Sequence, residues 1–215
     1  LDNSRLVRIQ MRLDPRENKF IGALDIVNKG YPAVELHKQL QEKDEEAYIT
    51  EFEEKVGGDF LITSYELVDE RTDRQKVSQR LKFDIEDALK GNMFYLDPFL
   101  FKFFAQNPFQ LSKRSYPIDF GYPRSYKYQF SLPIPEGYVI EELPKSRAVA
   151  VEGQRAILRF SAQSDGKQAR LSFTLTLKAS YFSDMEYESL KALFADVVDI
   201  QKNSLIVLRK KTAAP

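Results

Sequence analysis

Two carboxylate-rich runs, Glu42 to Glu46 and Glu51 to Glu54, are the first residues whose type and spacing suggest chemistry. Paired acids hydrolyse glycosides when both face a cleft and burial raises the pKa of one. Here the acids alternate with lysine in a helical pattern, which points to a solvated face. The one histidine, His37, follows Leu36 on the same expected helix. Any Ser-His-Asp triad or two-histidine metal site would have to be built on it. The chain has no cysteine, so thiolate nucleophiles, thiolate metal sites and disulfides are absent together. Glycine-rich phosphate loops, nucleophile elbows and zinc-helix motifs are also missing. No catalytic residue, metal site or cofactor is expected.

The densest cluster of recognition-type residues is Asn107-Pro108-Phe109, Arg114, Tyr116-Pro117 and Asp119-Phe120-Gly121-Tyr122-Pro123. Arg114 and Asp119 are placed to pair across a turn, with Tyr116 and Tyr122 shielding them. Exposed Tyr and Arg anchor many binding surfaces, so Arg114, Tyr116, Asp119 and Tyr122 form the candidate interface. The competing reading is a rigid crossing between two β domains, with proline fixing φ and glycine permitting it.

The elements that would position these residues follow from periodicity. Val7, Ile9, Met11 and Leu13 alternate with Arg8, Gln10 and Arg12, the two-residue period of a half-buried strand. Asp14 to Asn18 is turn chemistry and Phe20 to Val27 is the return strand. Pro32 opens a helical stretch to Lys55, bent or split between Gln41 and Glu46 and closed by Gly57-Gly58. Strands resume at Phe60 to Asp69 and Val77 to Ile85, with a charged loop at 70–76 between them. Gly91-Asn92 opens a turn before Met93 to Leu96, and the aromatic run Phe99 to Phe104 is expected to pack the first part against the second. Later strands are centred on Tyr126 to Leu132, Tyr138 to Leu143, Ala156 to Ala162 and Leu171 to Leu177. Asp165-Gly166 turns the last pair into a hairpin. Ser183-Asp184-Met185-Glu186 is a capping box for a helix with Leu190, Phe194 and Val197 on one face. Leu205 to Leu208 is a short strand that must be paired.

These elements predict a mainly β fold, all-β or α+β, in two β-sandwich-like domains. Residues 1–106 carry a helical insertion near 32–55, and 107–215 end in a helix near 184–203. The boundary falls near 104–110. Lys plus Arg equals Asp plus Glu at 32 each, so the basic excess that releases phosphate counterions is missing and nucleic acid is not expected as a partner. No stretch approaches the roughly 20 apolar residues of a membrane span. The first residue is Leu1, read as the start of a mature form or of an excerpt from a longer chain.

The run NPFQLSKRSYPIDFGYP at 107–123 resembles the C-terminal region of bacterial transglutaminase-like proteins of the Bacteroidetes type. PEGYVIEELPK at 135–145, then Tyr187, Leu190, Lys191 and Phe194, and IVLRK at 206–210 extend the likeness in order over 107–211; over 1–106 it is looser. The resemblance implies a papain-like core upstream, whose Cys-His-Asp machinery has no counterpart here, and export to the periplasm or cell surface. It implies a non-catalytic accessory region that supports that core or presents a substrate or partner to it. An independent carbohydrate- or protein-binding β module is the alternative, motivated by the tyrosine-rich second half.

Overall fold

The computed structural model describes residues 2–14, 16–69, 75–86 and 91–211. Alternation sets the first strands, β1 (Ser4–Asp14) and β2 (Lys19–Lys29), which pair antiparallel throughout. The helical insertion is two helices, α1 (Tyr31–Glu42) and α2 (Glu45–Val56). They break where Asp44 caps α2, its Oδ1 accepting the Ala47 N–H at 2.8 Å. Gly57, at φ 75°, ends α2 by donating to the Glu53 carbonyl at 2.8 Å.

Next come β3 (Phe60–Asp69) and β4 (Lys76–Ile85), and then β5 (Met93–Leu96). The charged loop expected at 70–76 lies mostly outside the described residues. The second half holds β6 (Ile118–Asp119), β7 (Arg124–Pro133), β8 (Tyr138–Glu142), β9 (Arg147–Ala150), β10 (Ala156–Ser164), β11 (Gln168–Leu177) and β12 (Tyr181–Phe182). The β10–β11 turn forms as expected: Asp165 Oδ1 accepts the amides of Lys167 and Gln168, and Gly166 takes φ 81°. A 3-10 turn at Asp184–Glu186 then leads into α3 (Tyr187–Asn203), and β13 (Ile206–Lys210) follows. The capping box is present, with Glu186 accepting the Ser183 N–H at 2.8 Å.

The mainly β class, the helical insertion and the C-terminal helix are all present. One eight-stranded sheet, in the order β3-β4-β2-β1-β7-β11-β10-β9, runs straight through the boundary expected at 104–110. Its midline is the pairing of β1 with β7, parallel where every other pair is antiparallel. Four strands from residues 1–106 and four from 107–215 thus lie in one sheet, while β5, β13 and β8 form a second, three-stranded sheet that also draws on both halves. One buried cluster, from Val7 to Leu208, likewise spans both halves.

That core lies on a single face. Over the sheet centre Phe99, fully buried, meets Tyr128 at 4.8 Å, Phe173 at 5.9 Å and Phe160 at 6.0 Å. Phe104 packs edge-on against Phe194 of α3 at 5.1 Å. The aromatic run thus joins the halves by covering the sheet they share. The opposite face carries charged and polar groups, with Arg80 between Asp25 and Glu66, and Arg8 Nε donating to Gln129 at 3.1 Å. Leu205 to Leu208 is paired as required: β13 lies between β5 and β8.

Candidate interaction surface

The described residues include no group of three or more His, Asp or Glu able to hold a metal. The two acidic runs are used structurally. Glu51 accepts from Lys43 and Lys55, and these hydrogen bonds pull its pKa down to about 2. Glu53 accepts the Ile62 amide at 2.6 Å, tying α2 to β3. A carboxylate held this low cannot store a proton for general acid work near neutral pH. His37 lies on α1, half-buried beside Leu36.

The cluster at 107–123 is built differently from its expected pairing. Asn107 braces it, accepting the Phe109 N–H at 2.9 Å and donating to the Lys191 carbonyl of α3 at 2.9 Å. Phe109 packs edge-on to Phe194 at 5.2 Å and Tyr187 at 5.8 Å. Arg114 and Asp119 each bind their own loop instead of one another. Arg114 donates to the carbonyls of Tyr116 at 3.0 Å and Pro117 at 3.3 Å. Asp119 accepts the Gly121 N–H at 2.7 Å, closing a turn that Gly121 permits at φ 77°. Tyr116 stands 77% exposed.

Tyr122 joins partners from distant parts of the chain. Its ring stacks on Tyr31 at 4.4 Å between centroids and 23° between planes. The Arg124 guanidinium lies 4.0 Å from the same centroid. Two planar groups that close do not fit on one side of a ring, so they take opposite faces. Tyr122 also donates to Glu35 at 3.4 Å, and burial raises its phenol pKa, offset in part by the Arg124 charge.

Tyr31 is positioned by the end of β2. Gly30, at φ 66°, donates to the Gln75 carbonyl at 2.8 Å and turns the chain into α1. Asn3, only 6% exposed, accepts the Tyr31 N–H at 3.1 Å and donates to the Pro123 carbonyl at 3.2 Å. One side chain thereby ties together the approach to β1, the start of α1 and the entry to β7. Beside them β6 pairs with β12, Phe120 N–H bonds the Ser180 carbonyl at 2.7 Å, and Tyr181 is 52% exposed. Arg155 braces this corner, donating to the Tyr181 carbonyl and to Glu186 at 2.6 Å.

The result is a sheet end carrying exposed or half-exposed Tyr31, Tyr116, Tyr122, Arg124 and Tyr181 on a braced backbone. Rings already fixed by stacking lose little entropy when a partner covers them, which suits them to recognition. Of the four residues read from the sequence, Tyr116 and Tyr122 stand on this surface, and Arg114 and Asp119 support its loop. Asn3, Tyr31, Arg124 and Tyr181 were missed, because nothing local in the sequence sets residue 31 against residue 122.

No curated protein matches the sequence. Residues 92–207 match a family described as a domain of unknown function with a solved structure (DUF3858). The matched span begins beside β5 and ends in β13, two strands that pair with each other, and it includes the whole 107–123 loop. Covering more than half of the 215 residues, this match shows that the chain belongs to the DUF3858 family.

Proposed function

We propose that the chain is a non-catalytic accessory region that docks on a transglutaminase-like, papain-like core in the same exported bacterial protein. The docking surface is the sheet end bearing Tyr31, Tyr122, Arg124, Tyr116 and Tyr181. The observation that carries this reading is where that end lies. Asn3 approaches β1 there, hydrogen-bonded to Tyr31 and Pro123, so a core joined ahead of Leu1 would meet these rings first. The motif likeness over 107–211 is what supports a transglutaminase-like core. The Bacteroidetes-type source and the periplasmic or cell-surface location rest on that likeness alone.

The alternative of a carbohydrate-binding module draws less support. Sugar stacking needs open aromatic faces, and the Tyr122 ring is covered by Tyr31 and Arg124, which leaves the exposed Tyr116 and Tyr181 rings to serve that alternative. The proposal is tested by preparing the parent polypeptide with and without residues 1–215. Removing the region should lower the core's stability or its affinity for substrate. Equal stability, affinity and turnover in the two forms would refute it.

A further inference from the structure

Beneath the helical insertion the covered face of the sheet is not filled. A cleft of about 640 Å³ opens between α1, α2, the sheet and residues 100–105. Its size is that of a small-molecule site, and its walls include Ile26, Leu36, Phe52, Leu100 and Phe101. The polar groups in it sit where the alternation calls for apolar ones. Arg5 leads the inward positions of β1 that continue as Val7, Ile9, Met11 and Leu13. Asn28, 1% exposed, ends the inward row of β2, and Gln79, 2% exposed, interrupts that of β4. Polar side chains at core positions cost stability unless something binds them.

The hydrogen bonds they make leave donors over. Gln79 Nε2 directs its protons to the phenol oxygens of Tyr48 at 2.7 Å and Tyr65 at 3.0 Å. Tyr48 therefore accepts there and keeps its own O–H for another partner. Burial raises its pKa, so that proton stays in place at neutral pH. Arg5 gives Nε to Asn28 Oδ1 at 2.7 Å, and no carboxylate among the described residues pairs with its guanidinium. The acids of the cleft, Glu42 and Glu51, belong to its helical rim, and Glu51 is already held by Lys43 and Lys55. Apolar walls beside an arginine fork with no carboxylate partner among the described residues and a phenol O–H left to donate suit an anionic acceptor brought in by a ligand.

We infer that this cleft binds a carboxylate carried on an apolar arm, with the Arg5 fork and the Tyr48 hydroxyl on the carboxylate and the arm against Phe52 and Phe101. A peptide C-terminus ending in an apolar residue and a free aliphatic acid share this chemistry. The inference is independent of the docking reading, which concerns the sheet end.

The test is calorimetric titration of the intact chain with N-acetyl-phenylalanine, its uncharged amide, a tetrapeptide ending in phenylalanine, and octanoate. The free acid should bind at least about tenfold more tightly than the amide, because charge-assisted bidentate bonds are lost in the latter. Arg5→Gln should remove that preference, and Arg8→Gln, on the opposite face, should retain it. Tyr48→Phe removes one O–H and should weaken the acid more than the amide, which keeps the test decisive should Arg5→Gln destabilise the fold. Tighter binding of the tetrapeptide assigns a peptide terminus, and tighter binding of octanoate a free acid. Equal affinity for acid and amide, binding of no probe, or an undiminished preference in Tyr48→Phe and a folded Arg5→Gln would overturn the inference.

Discussion

Replacing Gly30 with alanine strikes the joint on which the aromatic sheet end depends. Gly30 holds φ 66° and ψ −136°, a conformation that side-chain-bearing residues rarely adopt. An added Cβ would also overlap Asn3 Oδ1 and come to 3.0 Å from the Asp2 carbonyl. The backbone strain costs about 1–3 kcal/mol. Displacing Asn3 breaks its bond to the Tyr31 N–H, a loss of about 1–3 kcal/mol if that donor stays buried. The sum, about 2–6 kcal/mol, is a large share of an ordinary domain's stability. For a chain of this size it lowers Tm by roughly 10 °C. Asn3→Ala alone should cost about 1–3 kcal/mol through the same bond. Gly30→Ala then has less to collide with, so the double variant should cost clearly less than the two singles added. Denaturant unfolding of all four proteins measures this coupling. Additive costs within about 0.5 kcal/mol would refute the joint.

Three further outcomes probe the shared core and its charges. Tyr128→Phe removes the buried hydroxyl that donates to the Pro98 carbonyl at 2.6 Å and should cost about 1–3 kcal/mol; an unchanged urea midpoint would show that the bond holds nothing. Gly22→Ala places a methyl inside the ring of Phe83, which is fully buried, and should cost about 1–3 kcal/mol, with Phe83→Leu restoring part of the loss in the double variant. Glu51 has a folded pKa pulled from 4.5 to about 2 by Lys43 and Lys55, so its contribution is complete above pH 4.5 and disappears as pH falls through 2. Carbon-detected titration of its carboxyl should find that low midpoint, and an ordinary value near 4.5 would contradict the two-lysine clamp.

Local patterns made most of the elements legible in the sequence. Alternation marked β1, β4, β7, β10 and β11, because one face of each is buried. The Ser183–Glu186 box marked the start of the last helix, and Asp165-Gly166 its neighbouring hairpin. What no local pattern carries is the partner of a strand. The parallel pairing of β1 with β7 joins residues more than a hundred positions apart, and it runs one eight-stranded sheet through both expected domains. The same limit applies at the candidate surface. Tyr122 could be singled out from its loop, but Tyr31 and Asn3 reach it only through that pairing. Arg114 and Asp119 had matching charges at a suitable spacing, yet nearby carbonyls and the Gly121 amide were closer partners.

Hydrogen exchange of the parent polypeptide, compared with residues 1–215 alone, tests the docking claim most directly. Amides at 30–35, 114–124 and 180–182 should exchange more slowly when the core is attached, while those of β9 and the β10–β11 turn stay unchanged. Identical exchange at the aromatic sheet end in both proteins would contradict it.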